Sequence, residues 1–188
     1  QTCALPILRR AAEGLACTVE DVTADSAVLS VMGPSSRALL QPLVDADLGN
    51  EAFPFGAVRD VGLGLAARVT YVGELGWELY CEPADGLALW DTLWEAGREH
   101  GLAAGGYKAI DSLRLEKGYR VWGSDITPDD SPFEAGTGFA VKLDKGDFIG
   151  REALLARREP ERRLACLVLA EPRAVALGSE PVRVEDRK

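Results

Sequence analysis

A carboxylate set between two phenols offers the clearest chemistry in this 188-residue sequence. Leu65 to Val72 and Trp77 to Glu82 alternate as strands do, on either side of Gly73-Glu74-Leu75-Gly76, and the spacing predicts an antiparallel hairpin. With its loop centred on Glu74-Leu75, Tyr71 faces Glu78 and Val69 faces Tyr80. Period two then gathers Tyr71, Glu78 and Tyr80 on one face and leaves Val72, Trp77 and Leu79 on the other. A carboxylate accepts two parallel hydrogen bonds, and aromatic rings supply stacking area, so this face suits a flat heterocycle with adjacent N–H donors. The same residues also fit a plain solvent-facing strand surface with ordinary cross-strand pairs.

A second run, Gly106 to Gly123, reads Gly-Tyr-Lys-Ala-Ile-Asp-Ser-Leu-Arg-Leu-Glu-Lys-Gly-Tyr-Arg-Val-Trp-Gly. Asp111 and Arg114 are spaced to pair at i, i+3, as are Glu116 and Arg120 at i, i+4 if the helix extends so far. Ion pairs explain the charges but not the Gly118-to-Gly123 stretch. There Tyr119 and Trp122, aromatics between glycines, are placed for close approach to a ligand or another backbone. The acids Asp125, Asp129, Asp130 and Glu134 lack the alternating ligands and central glycine of an EF-hand, so no metal is expected. Gly62-Leu63-Gly64 lacks the third glycine of a dinucleotide fingerprint.

Other chemistries find little support. The single histidine, His100, precedes Gly101 at an expected helix end, where an imidazole complements the dipole; a Ser-His-Asp or Cys-His triad would have to use it. Cys3, Cys17, Cys81 and Cys166 form no C-x-x-C pair and read as reduced, mostly buried thiols, which makes the cytoplasm the expected compartment. A net charge of −9 argues against a nucleic-acid partner. No apolar run is long enough for a membrane span, and Gln1 to Ile7 lacks the features of a secretory signal.

The elements that must hold these residues are mixed. Ser26 to Met32 reads as a strand, Gly33-Pro34-Ser35 opens a helix to about Val44, and Val58 to Gly62 is a short strand. Ala84 to His100 is an amphipathic helix with Leu87, Trp90, Leu93, Trp94 and Gly97 expected in the core. A helix over Tyr107 to Lys117 ends at Gly118, and a long irregular stretch runs from Tyr119 to Gly138. Phe139 to Leu143 is expected as a strand, Arg151 to Arg158 as a helix, and Arg163 to Leu169 as another strand.

Four motifs then point to a family. Tyr71-Val-Gly-Glu-Leu-Gly-Trp-Glu-Leu-Tyr80, Ala109-Ile-Asp-Ser-Leu-Arg-Leu-Glu-Lys-Gly118, Ser131-Pro-Phe-Glu-Ala-Gly136 and Phe148-Ile-Gly-Arg-Glu-Ala-Leu154 resemble the folate-binding aminomethyltransferases. That family includes the glycine cleavage T-protein and the folate-binding C-terminal halves of sarcosine and dimethylglycine dehydrogenases and oxidases. The motifs come in family order and cover about Asp21 to Pro181.

Within the family, T-proteins usually carry G-E-D-G where this chain has Gly73-Glu-Leu-Gly76, and an arginine where it has Ile110. Glu116-Lys-Gly-Tyr-Arg-Val-Trp-Gly123 and Pro128-Asp-Asp-Ser-Pro132 resemble the sarcosine/dimethylglycine dehydrogenase branch. The resemblance implies an α+β fold: antiparallel sheets with packed helices, plus the start of a C-terminal β-barrel. The expected division is a truncated N-terminal segment over 1–20, a folate-binding domain over 21–146, and a linking helix with the incomplete barrel over 147–188.

The resemblance further implies tetrahydrofolate as cofactor, with FAD in an N-terminal half outside this sequence. The oxidised methyl carbon of a methylamine-derived substrate would be captured as 5,10-methylenetetrahydrofolate. Glu78 falls on the glutamate that holds the pterin and Tyr71 on a neighbouring tyrosine. Tyr80 and Trp122 join the folate-binding set by position and chemistry, and Ile110 replaces an arginine that contacts the folate tail. The family's catalytic aspartate lies upstream of Gln1. Both ends therefore read as truncated, and the chain alone is expected to lack one-carbon transfer activity.

The alternatives are a T-protein acting with a lipoyl carrier protein and a non-catalytic folate-binding or interaction module. The iron–sulfur maintenance branch typically has K-G-C-Y-x-G-Q-E, against Lys117-Gly-Tyr-Arg-Val-Trp-Gly123 here.

Overall fold

The computed structural model describes residues 4–171, 173–178 and 180–183. The chain forms two compact units, one up to Tyr119 and one from Arg120 onward, so the division falls inside the expected folate domain.

The first unit is built on a four-stranded antiparallel sheet. Its strands are β1 (Ala27–Met32), β2 (Val58–Asp60), β3 (Leu65–Ala67) and β4 (Gly76–Cys81), in the order β1-β4-β3-β2. One face carries Leu29, Val31, Ala66, Trp77 and Leu79, which join Leu39, Leu40, Leu48, Phe53, Val61, Leu89 and Leu93 in the core. The first helix, α1, spans Ala4–Ala12 and has no buried residue. The next, α2 (Ser36–Leu40), continues into a 3₁₀ turn over Gln41–Leu43. It contacts β4 and α3 (Gly86–Gly97), and α3 also contacts β1.

Trp77 is the centre of this core. It is fully buried, edge-on to Phe53 at 6.3 Å, and flanked by the guanidinium groups of Arg37 and Arg68, each 5.7 Å from its ring. Both arginines donate to Asn50 Oδ1, at 2.6 and 2.8 Å. Cation–π contact and shared hydrogen bonding thus fix the strand next to Glu78.

The helix ends follow sequence cues closely. Gly118 (φ 70°) closes α4 (Tyr107–Glu116), with Gly118 N–H donating to Leu115 O and Tyr119 N–H to Arg114 O, both at 2.9 Å. Gly101 (φ 69°) ends the 3₁₀ turn that follows α3, and Leu102 N–H donates to Gly97 O. In each case glycine adopts the left-handed conformation that L side chains disfavour, and the doubled bond satisfies the last carbonyls.

Four expectations need correction. The described thiols are not mostly buried: Cys17 and Cys166 are exposed and Cys81 is half-buried. Leu87, Trp90 and Trp94 are not core residues: Leu87 is largely exposed, and the tryptophans remain 43% and 37% exposed and stack on each other at 5.7 Å, while Leu89, Leu93 and Gly97 take the buried stripe. The apolar sector of α3 is wider than the surface it packs on, so the tryptophans fall to its rim. Phe139 to Leu143 forms no strand but a 3₁₀ turn over Gly138–Ala140. Arg163 to Leu169 likewise forms no strand, although Leu164 N–H donates to Glu134 O at 2.8 Å. Apolar runs become strands only where a neighbour completes the ladder.

The second unit is mostly irregular, with α5 over Arg151–Ala156. Its best-defined feature is a single turn at Ser131-Pro-Phe-Glu134. Ser131 N–H donates to Glu134 Oε2 at 2.8 Å, and Glu134 N–H donates back to Ser131 Oγ at 3.2 Å. This is the reciprocal arrangement of a capping box.

Candidate functional site

Glu78 and Tyr80 lie on the sheet face opposite the core, two residues apart on β4 and both half-buried. The Tyr80 hydroxyl donates to Glu78 Oε2 at 2.7 Å. That bond is the main reason the Tyr80 phenol titrates above its ordinary value; desolvation and the adjacent negative charge add to it. Among the described residues Glu78 Oε1 takes no hydrogen bond. The carboxylate is therefore held in one orientation with acceptor capacity to spare.

The register around this pair departs from the expected hairpin. Ala67, not Tyr71, lies opposite Glu78, and Leu65, not Val69, lies opposite Tyr80. Residues 68–75 form a long loop held from outside the hairpin. Arg68 N–H donates to Ala57 O, and its guanidinium donates to Phe53 O and Asn50. At the far end, Gly33 N–H and Ser36 Oγ both donate to Leu75 O, at 2.7 and 3.1 Å. These long-range bonds displace the tight turn.

Tyr71 leaves the strand as a result. Its ring, 39% exposed, stacks on Tyr119 at 6.1 Å with 29° between planes. Tyr119 is held just past α4, where Arg114 Nη1 donates to its carbonyl at 3.0 Å. Arg114 is buried and pairs with Asp111 at 3.0 Å, the i, i+3 contact expected from sequence. Gly73 (φ 76°) packs on the Lys117 side chain, which ties the loop to the same helix end.

Trp122 belongs to the second unit, 55% exposed, and bridges Ile126 in a short parallel contact. The structure thus brings Glu78 and Tyr80 together and pairs Tyr71 with Tyr119. Sequence reasoning marked Tyr119 only as an aromatic between glycines, not as the partner of Tyr71, and did not single out Ser30. Ser30 lies directly across β1 from Glu78 and is exposed; its place could have been read from strand alternation once β1 was paired with β4.

Asp125, Asp130 and Glu134 of the second unit are occupied. Asp125 accepts from Val121 N–H, and Asp130 from Thr127 N–H, both at 2.9 Å. Glu134 also receives Arg157 at 2.9 Å and Arg162 at 3.0 Å. The Ser131 N–H foremost, then Arg162 and the Ser131 hydroxyl, draw the Glu134 carboxyl down to about 2. These groups cap backbone and bind arginine, which accounts for an acidic loop without a metal-ligand pattern.

The first unit is thus an α+β domain with helices on one sheet face and a tyrosine-held carboxylate on the other. Comparison with known proteins defines it further. The family model described as GCVT N-terminal domain matches residues 2–145, and the chain belongs to that family. Sarcosine dehydrogenase, mitochondrial, from Mus musculus is 49% identical over 162 residues, covering 82% of this chain and 18% of that protein. Aminomethyltransferase from Streptomyces avermitilis is 40% identical, covering 96% of this chain and 50% of its own length. The crystal structure of glycine cleavage system aminomethyltransferase T from Bartonella henselae superposes with a TM-score of 0.67 at 30% identity, over 82% of this chain and 42% of that one. The chain therefore spans half or less of each of these relatives. Among the described residues, no helix is long and apolar enough to cross a membrane.

Proposed function

We propose that this chain is the tetrahydrofolate-binding part of a flavin-dependent dehydrogenase or oxidase acting on sarcosine- or dimethylglycine-type N-methyl amines. The observation that carries the reading is the Glu78 carboxylate, one oxygen held by Tyr80 and the other open. Such a group fits the edge of a pterin, where a ring N–H and an exocyclic amine sit side by side. Tetrahydrofolate would supply the nitrogen that accepts a one-carbon unit, giving 5,10-methylenetetrahydrofolate. The residues here would bind and orient it: Glu78 holds the ring edge, and Tyr71, backed by Tyr119, offers aromatic surface. Trp122 is proposed as a further folate-binding residue on its sequence position and chemistry alone.

The dehydrogenase branch is favoured by the 49% identity to mouse sarcosine dehydrogenase, against 40% to the bacterial aminomethyltransferase. FAD would belong to sequence outside these 188 residues, as would the catalytic aspartate. The domain limits we propose are 21–146 for folate binding, with 1–20 before it and the opening of a barrel domain over 147–188. The proposed compartment is the cytoplasm. The mouse relative is named as mitochondrial, so localisation in that organelle is the competing outcome of a fractionation experiment.

Calorimetric titration of the full-length protein with tetrahydrofolate tests the reading. Glu78→Ala is expected to weaken binding about a hundredfold, the scale of two charge-assisted hydrogen bonds; unchanged affinity refutes it. The second reading, an aminomethyltransferase working with a lipoyl carrier protein, rests on the 96% coverage by the bacterial relative. Visible flavin absorbance in the purified full-length protein separates the two.

A further inference from the structure

The surroundings of Glu78 are lopsided. On the β3 side its cross-strand neighbour is Ala67, buried at 7% exposure; on the β1 side it is Ser30, exposed and without a side-chain hydrogen bond among the described residues. One strand position along, Tyr80 is flanked by Val28 and Leu65, exposed by 47% and 51%. Directly opposed side chains in a sheet lie about 5 Å apart at Cβ, so a small residue at position 30 leaves the space beside the carboxylate open. Val28 and Leu65 form an apolar border around the phenol.

The Tyr80 hydroxyl has one proton, and it is committed to Glu78 Oε2. Towards any ligand, the pair therefore presents acceptors only. A carboxylate held this way discriminates between a ring edge with two adjacent donors and one with a single donor, because a wrong ligand leaves an acceptor desolvated and unpaired.

We propose that Tyr80 is a positioning residue that sets ligand selectivity through Glu78, and that the ligand reaches the carboxylate over Ser30. The proposal deepens the folate reading and rests on it. Tyr80 acts by fixing the carboxylate plane rather than by stacking on the ring. The raised phenol titration agrees with this, because ionising Tyr80 would remove the donated proton and place two anions together.

The test uses the full-length protein with two probes, tetrahydrofolate and its 2-desamino analogue, in calorimetric titration. Tyr80→Phe keeps the ring and removes the hydroxyl. It is expected to weaken tetrahydrofolate about tenfold while leaving the 2-desamino analogue unchanged, so the preference between the two collapses. Equal weakening of both probes would mark Tyr80 as packing surface and overturn the proposal, as would wild-type affinity for both. Ser30→Val suits an exposed strand position and should leave the thermal midpoint unaltered. It is expected to reduce tetrahydrofolate affinity at least tenfold by filling the approach; wild-type affinity overturns that part.

Glu78→Ala in the same series separates two kinds of failure. If it binds tetrahydrofolate as wild type does, the folate reading itself falls. If it loses binding while Tyr80→Phe does not, only the positioning role falls. Ultraviolet titration adds a readout independent of ligand: the elevated tyrosinate transition is expected to return to the ordinary range in Glu78→Gln, and its persistence there would break the link between the two side chains.

Discussion

Glu78 and Glu134 are both partly covered carboxylates, one in each compact unit, and they are used in opposite ways. Glu134 is saturated: a backbone N–H, a hydroxyl-linked turn and two arginines surround it. Glu78 has one neutral partner, Tyr80. The saturated group is held firmly anionic and ties chain segments together. The undersaturated one retains hydrogen-bonding capacity that folding has not consumed, and spare capacity beside an exposed approach is what a binding residue needs. An acid-rich loop is therefore a poorer guide to a ligand than a single carboxylate with an oxygen left over.

The contrast breaks most readily by exchanging the two roles. Glu78→Ala should reduce tetrahydrofolate affinity about a hundredfold and leave the unfolding midpoint nearly unchanged, whereas Glu134→Ala should lower the midpoint and leave affinity unchanged. Calorimetry and thermal melts on both variants decide it; loss of affinity in Glu134→Ala would show that the loop reaches the ligand. Ser131→Ala, which removes one half of the reciprocal turn, is expected to cost about 1 kcal/mol in denaturant titration. An unchanged midpoint there would mean that the arginines alone order the turn.

Acid sharpens the comparison. The Glu134 carboxyl falls from an ordinary 4.5 to about 2 in the folded chain. Its stabilising contribution is thus fully present above 4.5 and lost as pH drops towards 2. Thermal midpoints measured between pH 5 and pH 2 should decline more steeply for wild type than for Glu134→Gln; parallel curves would contradict the assignment. The smallest effect is expected for Arg162→Ala. Its side chain is two-thirds exposed, and solvent screens most of its attraction for Glu134, so only a marginal fall in midpoint should follow, removed by high salt.

Much of this is legible in the sequence, for reasons that differ by element. Gly101 and Gly118 marked helix ends because the left-handed cap is a local demand on one residue. The shared face of Glu78 and Tyr80 was readable because strand periodicity is also local. The register was not. Against the expected turn, the partner of Glu78 moves from Tyr71 to Ala67, a slip of four residues; being even, it keeps each strand residue on its side of the sheet but removes Tyr71 from the strand. What moved it is the hold of Arg68 on Phe53 and Asn50 and that of Gly33 and Ser36 on Leu75, contacts across 15 to 42 residues that no short window contains. Trp90 and Trp94 failed for a related reason: periodicity reports an apolar sector, and the width of the packed surface decides how much of it is covered.

The stacked indoles of α3 also give the molecule an optical signature. Two rings 5.7 Å apart and 9° from parallel are close enough for their excited states to mix, while Trp77 sits in a dry, fully enclosed setting. Acrylamide should quench the exposed emitters first and leave a blue-shifted remainder from Trp77. Melting followed at the red and blue edges of the emission would separate the exposed indoles, those of α3 together with Trp122, from the strand that carries Glu78, with no label attached.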